Sequence, residues 1–110
     1  MKMQTKKELA IPQEHLAVYN GIANSKEKYI TKNMILAQLN KNSSYKRRLE
    51  QVIYQLVVDY QMPIGASSRK ESNGFFIIKD KQDLYLAKRD LKARTSSIMK
   101  RFEALEKINL

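Results

Sequence analysis

Several scarcities narrow this chain before any pattern is read. It has no cysteine and no tryptophan, two prolines, three glycines and one histidine in 110 residues. Without cysteine it forms no disulfides and no thiolate metal sites. His15 has no acidic cluster beside it, so no metal and no cofactor is expected, and His15 reads as surface or partly buried structure. No apolar run approaches the roughly 20 residues that a membrane-crossing helix needs. The chain starts polar and basic, with no apolar signal segment. No membrane partner and a cytoplasmic location are therefore the expectation. The sequence also has no phosphate loop, no nucleophile in a suggestive setting with the histidine, and no paired carboxylates to argue for. It does not read as an enzyme.

Acidic residues are the other scarcity: 11 against 21 lysines and arginines, a net charge of +10. Such an excess attracts polyanions, nucleic acid first and anionic membrane second. The excess is spread evenly, +4 over residues 1–42, +3 over 43–79 and +3 over 80–110. Charge alone does not mark one binding segment.

In order, residues 1–9 form a basic flexible leader with no apolar period. Pro12 fits the first turn of a helix, where its missing N–H costs nothing. Leu16, Tyr19 and Ile22 or Ala23 give that helix its stripe, and it ends near Asn24 and Ser25. Lys28 to Ile30 is a short extended piece. Thr31 is the expected N-cap of a helix from Lys32 to Leu39, with Ile35, Leu36 and Leu39 on one face. Asn40 to Ser43 is a polar turn of the length that joins the two helices of a helix-turn-helix.

The stretch from Ser44 to Ile78 organises the rest. Leu49, Val52, Ile53, Leu56, Val57 and Tyr60 recur at steps of three and four, which predicts a helix capped by Ser43 or Ser44. Tyr45, Lys46, Arg47 and Arg48 lie in its leading turn, on the opposite face. Met62 to Ile64 and Phe75 to Ile78 are short β-prone runs. Between them the polar run from Gly65 to Gly74 reads as a loop, with Asn73 and Gly74 available for positive φ. From Asp80 a helix of about seven to eight turns runs on without glycine or proline, capped by Asp80 or Asp83. Leu84, Leu91, Ile98 and Leu105 fall seven apart along it.

Thr31, Ile35 and Leu39, then Leu49, Ile53 and Leu56, then Pro63-Ile64 and Gly74-Phe75 resemble the winged-helix modules of biotin-repressor-type DNA-binding domains. The stretch MPIGAS…NGFFII, followed by a helix with Leu91, Arg94 and Ile98, is similar to small winged-helix proteins of bacteriophages and mobile elements of Gram-positive bacteria. The resemblance covers roughly three quarters of the chain, and its motifs are mostly structural. Here Tyr-Lys-Arg-Arg replaces the commoner Ser-Arg-x-x, and the wing loop reads as longer than usual.

The expected fold is mainly α with a small β-hairpin: a winged helix-turn-helix over residues 10–79 and a long C-terminal helix over 80–110. The expected function is duplex DNA binding in the control of transcription or replication of a phage or mobile element. Tyr45, Lys46, Arg47, Arg48 and Gln51 would meet the major groove, where arginine can pair with a guanine edge. Ser68, Arg69 and Lys70 would meet the flanking backbone, which positions without specifying. A solvated helix face and a plain solvent loop are the competing accounts of these two sets. Leu84 and Leu91 are expected to pack on the core. Leu91, Ile98, Phe102, Leu105 and Ile108 are the expected dimer or partner interface, the last four beyond the reach of so small a core. A homodimer is the simplest arrangement. The alternative function is a protein-binding winged helix that occupies or inhibits a host protein. Single-strand binding by stacking on Tyr45, Tyr54 or Phe75 is a third reading, limited because Phe75 and Phe76 alternate across a strand and one must enter the core.

Overall fold

The computed structural model of the protein describes residues 10–110; the leader expected at 1–9 lies outside them. Helix α1 spans Gln13–Ala23. Pro12 is its N-cap, with ψ at 150°, one position earlier than expected. The buried face is His15, Val18 and Ile22, so the expected stripe is turned by one residue and Leu16 is partly exposed. A polar side chain replaces Leu16 inside because it finds partners there. His15 Nε2 shares a hydrogen bond of 2.7 Å with Gln55 Oε1, and its ring meets that of Tyr60 edge-on.

Ile30 is the extended piece that follows. It exchanges two backbone hydrogen bonds with Phe75, of 2.9 and 2.8 Å. The Thr31 hydroxyl accepts from the Met34 N–H and starts helix α2, Lys32–Leu39, as the sequence indicates. Asn40, at φ 59°, closes it in the left-handed conformation, which asparagine tolerates better than most residues.

The next start differs from expectation. Asn42, not Ser43 or Ser44, supplies the cap: its carboxamide oxygen accepts from the Ser44 N–H at 3.0 Å. A 3-10 turn, Ser43–Tyr45, then leads into helix α3, Lys46–Val58. Both serines are spent inside that turn. Leu49, Val52, Ile53 and Leu56 are buried as predicted, whereas Val57 is partly exposed.

Strands β1, Ile64–Ser68, and β2, Asn73–Ile77, pair antiparallel with Ile64 opposite Ile77 and Ser68 opposite Asn73. The hairpin connection is therefore Arg69 to Ser72, and the long wing loop read from the sequence is corrected. Apolar runs mark strands that bury side chains, but a ladder is made of backbone groups and accepts Gly65, Ala66 and the serines equally. Gly74 sits at φ 130°, and a Cβ there would lie 2.6 Å from the Ile30 carbonyl oxygen. Asn73 is not at positive φ.

Helix α4 spans Lys81–Glu106, about 39 Å at 1.5 Å per residue. The Asp80 side chain caps it by accepting from the Asp83 N–H at 2.8 Å. Asp83 is buried and accepts from Lys28 Nζ at 2.7 Å and from the Lys79 N–H at 3.1 Å. The lysine beside it holds the Asp83 carboxyl below its usual range, with help from the Lys79 N–H. Ala87 is buried on the hairpin. Leu84 and Leu91, expected in the core, are 45% and 58% exposed. Asp83, the half-buried Leu86 and Ala87 face the domain instead, with Ala87 at the close approach that Gly65 permits.

The molecule is thus mainly helical, with one small antiparallel hairpin and a long C-terminal helix. Helix, bridge, helix, turn, helix and hairpin follow the order of a winged helix-turn-helix. One core of aliphatic side chains from α1, Ile30, α2, α3 and Ile64 holds it together. Phe76, 1% exposed, fills the joint between hairpin and α4, while Phe75 packs at the core edge.

Candidate nucleic-acid interface

The leading turn of α3 was expected to point four side chains outward. It divides them instead. Tyr45 and Arg48 turn back to Glu14 on α1. Arg48 Nη2 donates to Glu14 Oε1 at 2.6 Å and Arg48 Nε to Glu14 Oε2 at 3.0 Å, while the Tyr45 hydroxyl donates to the same carboxylate. The hydrogen bonds from Arg48 and then Tyr45 lower the Glu14 pKa from 4.5 to about 2. Burial, and then the Glu14 carboxylate, push the Tyr45 hydroxyl up to about 12. The outward placement of Tyr45 and Arg48 is therefore corrected. Helical geometry explains it: Arg48 is adjacent to Leu49 and one turn before Val52, so its stem follows the buried face.

Lys46 and Arg47 are exposed, and among the described residues neither takes part in an ion pair. Gln51 is also exposed and accepts from Arg48 Nη1 at 2.9 Å. Tyr54, one turn further on, is 64% exposed. Gln55 is held by His15. Lys41, in the turn before α3, lies with its ammonium 5.1 Å from the centre of the Tyr45 ring. It joins this basic group, although in the sequence it looked like one residue of a polar connector.

Between α3 and the hairpin lies an open groove of about 690 Å³. Lys32, Lys46, Tyr54, Ser68 and Arg94 line it, over a floor that includes Ile53 and Phe75. Its two acids are matched: Glu50 by Lys32, and Asp90 by Arg94 at 3.0 Å. Lys46 is left as its unpaired cation among the described residues. Lys32 and Arg94 are not expected beside α3 from the sequence, where Arg94 reads only as part of the last helix's pattern, because only folding brings them to it.

Ser68 is a strand residue, not a loop residue as expected, and donates to Asp90 at 2.9 Å. Arg69 and Lys70 are exposed at the hairpin tip. Arg69 borders a second hollow of about 320 Å³, together with Tyr29 and Arg89. The fold thus brings Ser68 to Lys46, while Arg69 lines the hollow between hairpin and α4. No group of three or more His, Asp or Glu capable of holding a metal occurs among the described residues. No described helix is long and apolar enough to cross a membrane.

Comparison of the chain with protein-family models, with curated proteins and with solved structures finds no match.

Proposed function

We propose that this chain binds duplex DNA through the leading turn of α3, with the hairpin against the flanking backbone, and so controls transcription or replication of a phage or mobile element. The observation that carries this is the pair Lys46 and Arg47. Both are exposed and, among the described residues, unpaired at the start of a helix that the core holds rigidly from behind, on a chain of net charge +10. Free arginine and lysine on a fixed helix start suit a base edge and a phosphate respectively. Lys41 adds a second phosphate-reaching cation beside them. Arg48 and Tyr45, bound to Glu14, set the angle at which α3 meets α1 and support the surface from beneath. The phage or mobile-element role rests on the family resemblance described above.

The test is a titration of mixed-sequence and selected duplexes over a range of salt. Affinity should fall steeply as salt rises, by the release of counterions from the phosphates. Arg47→Ala should cost about 1–3 kcal/mol on the preferred duplex and relax its sequence preference. Arg69→Ala and Lys70→Ala should weaken all duplexes alike, each reducing the salt slope by about one. No salt-dependent binding to any duplex would overturn the reading. A host protein would then be the partner to seek.

A further inference from the structure

Beyond its contact with the hairpin, α4 carries an apolar stripe, interrupted at Lys88 and Thr95, that nothing among the described residues covers. Leu84, Leu91, Ile98, Phe102 and Leu105 share one side of the helix at helical spacing, and each is 45–65% exposed. The stripe extends about 32 Å at 1.5 Å per residue. It is not the side that holds the domain. Asp83, Ala87 and Asp90 face the hairpin, and the stripe lies about a quarter-turn round the helix from them.

We infer that a second copy of this chain covers the stripe, with the two α4 helices running antiparallel and Ile98 near the two-fold axis. Charge along one flank of the stripe selects that direction. Lys88 and Lys92 occupy the flank in the first half of the helix, and Glu103 and Glu106 occupy the same flank in the second half. An antiparallel pair sets like flanks together, so Lys88 comes level with the partner's Glu106 and Lys92 with the partner's Glu103. The same register brings Leu91 against the partner's Leu105. Parallel pairing instead sets that flank against the opposite one, where both lysines lack a matched acid, Lys92 lying between the partner's Asp90 and Arg94, and only Glu103 and Glu106 find a cation, the partner's Arg101. One antiparallel contact is unfavourable: Arg94 comes level with the partner's Arg101. Asp90, 3.0 Å from Arg94, offsets that charge.

The quarter-turn between stripe and hairpin then acquires a consequence. The two-fold axis of an antiparallel pair is perpendicular to the helices and to the line joining them. A domain attached a quarter-turn from the seam is therefore carried to the same side of the pair. Both hairpin joints, centred on Ala87, face one way, about 33 Å apart along the helices. Parallel pairing would place them on opposite sides. Two recognition surfaces on one side, near the 34–36 Å of one duplex turn, match a two-fold-symmetric site. This spacing argument rests on the DNA reading, whereas the dimer does not.

The absence of cysteine makes a direct test available without DNA. Leu91→Cys and Leu105→Cys variants are oxidised separately and as a mixture, with Ile98→Cys as a third. The expected result is a cross-linked dimer from the mixture and from Ile98→Cys, with at least about tenfold less from either other variant alone, since disulfides tolerate only about 4.4–6.8 Å between Cα atoms. Efficient cross-linking of Leu105→Cys with itself would overturn the antiparallel direction. Wild-type protein sedimenting as a monomer at roughly 50 μM, where a dimer of micromolar affinity forms, would overturn the dimer altogether. Ile98→Asp/Phe102→Asp should be monomeric with an unchanged circular dichroism spectrum, since neither side chain touches the core. Persistence of the dimer in that variant would place its interface elsewhere and overturn the assignment.

Discussion

Glu14 shows how one carboxylate decides the use of two other side chains. It takes Arg48 and Tyr45 out of the outward-facing set and fixes α1 against the start of α3. On the DNA reading, Arg48→Ala should therefore lower stability and leave the sequence preference nearly unchanged, the reverse of Arg47→Ala. The Glu14–Arg48 pair is more than a third exposed, so solvent screening keeps its worth small. Its pH dependence has a definite sign. The Glu14 pKa lies at about 2 against 4.5 for an unperturbed group, so its contribution is complete above about 4.5 and is lost as pH falls towards 2. Asp83, lowered by Lys28, loses its contribution in the same direction. Urea unfolding at pH 7 and pH 3 should show a larger acid loss for the wild type than for Glu14→Gln. Equal losses would show that Glu14 is not held below its ordinary value.

At the scale of elements, the hairpin is a joint as much as a wing. Its β2 strand is bridged to Ile30 on one side, and its β1 strand carries α4 on the other. Two glycines permit these approaches. At Gly65 a Cβ would stand 2.6 Å from the Phe76 ring and 2.9 Å from the Ala87 Cβ, and at Gly74 2.6 Å from the Ile30 oxygen. Gly74→Ala combines that backbone contact with a positive φ and should cost about 1–3 kcal/mol from the conformation alone, read as a lower denaturation midpoint. Gly65→Ala acts differently, because Phe76 and α4 can shift. It should loosen α4 from the hairpin, seen as faster amide exchange around Ala87 while the α1–α3 core stays protected.

For the whole molecule, the radius of gyration is 16.4 Å, against about 13 Å for a compact chain of this size. The excess comes from α4. Every residue from Leu91 to Leu110 is exposed, so this half of the helix adds little to the fold of the single chain. Ending the chain after Arg94 should leave its unfolding free energy within about 0.5 kcal/mol of the intact monomer, as for surface changes generally. The shortened protein should sediment as a monomer. If the proposed dimer binds duplex DNA, the shortened protein should do so with a smaller salt slope, because one recognition surface would engage in place of two. A large drop in stability at concentrations where both forms are monomeric would mean that the distal helix folds back on the domain.

Helix positions, the Thr31 cap, a cap at Asp80 or Asp83 and the aliphatic core were legible in the sequence because each depends on near neighbours. A period of three to four, a hydroxyl or carboxylate before it, and the absence of glycine and proline are local statements, and local hydrogen bonds honour them. The long exposed stripe was legible for the same reason, except that it begins one turn into the helix, at Leu84. The hairpin's true extent was not, since Gly65 to Ser68 become a strand only by pairing with Asn73 to Ile77 and by lying beneath α4. Nor was the division of the basic turn. Lys46, Arg47 and Arg48 look alike in sequence, and what separates them is a glutamate 34 residues from Arg48 that can reach only one of the three. Periodicity determined which residues form the helices; distant side chains, brought together by packing, decided which charges remain free to meet a partner.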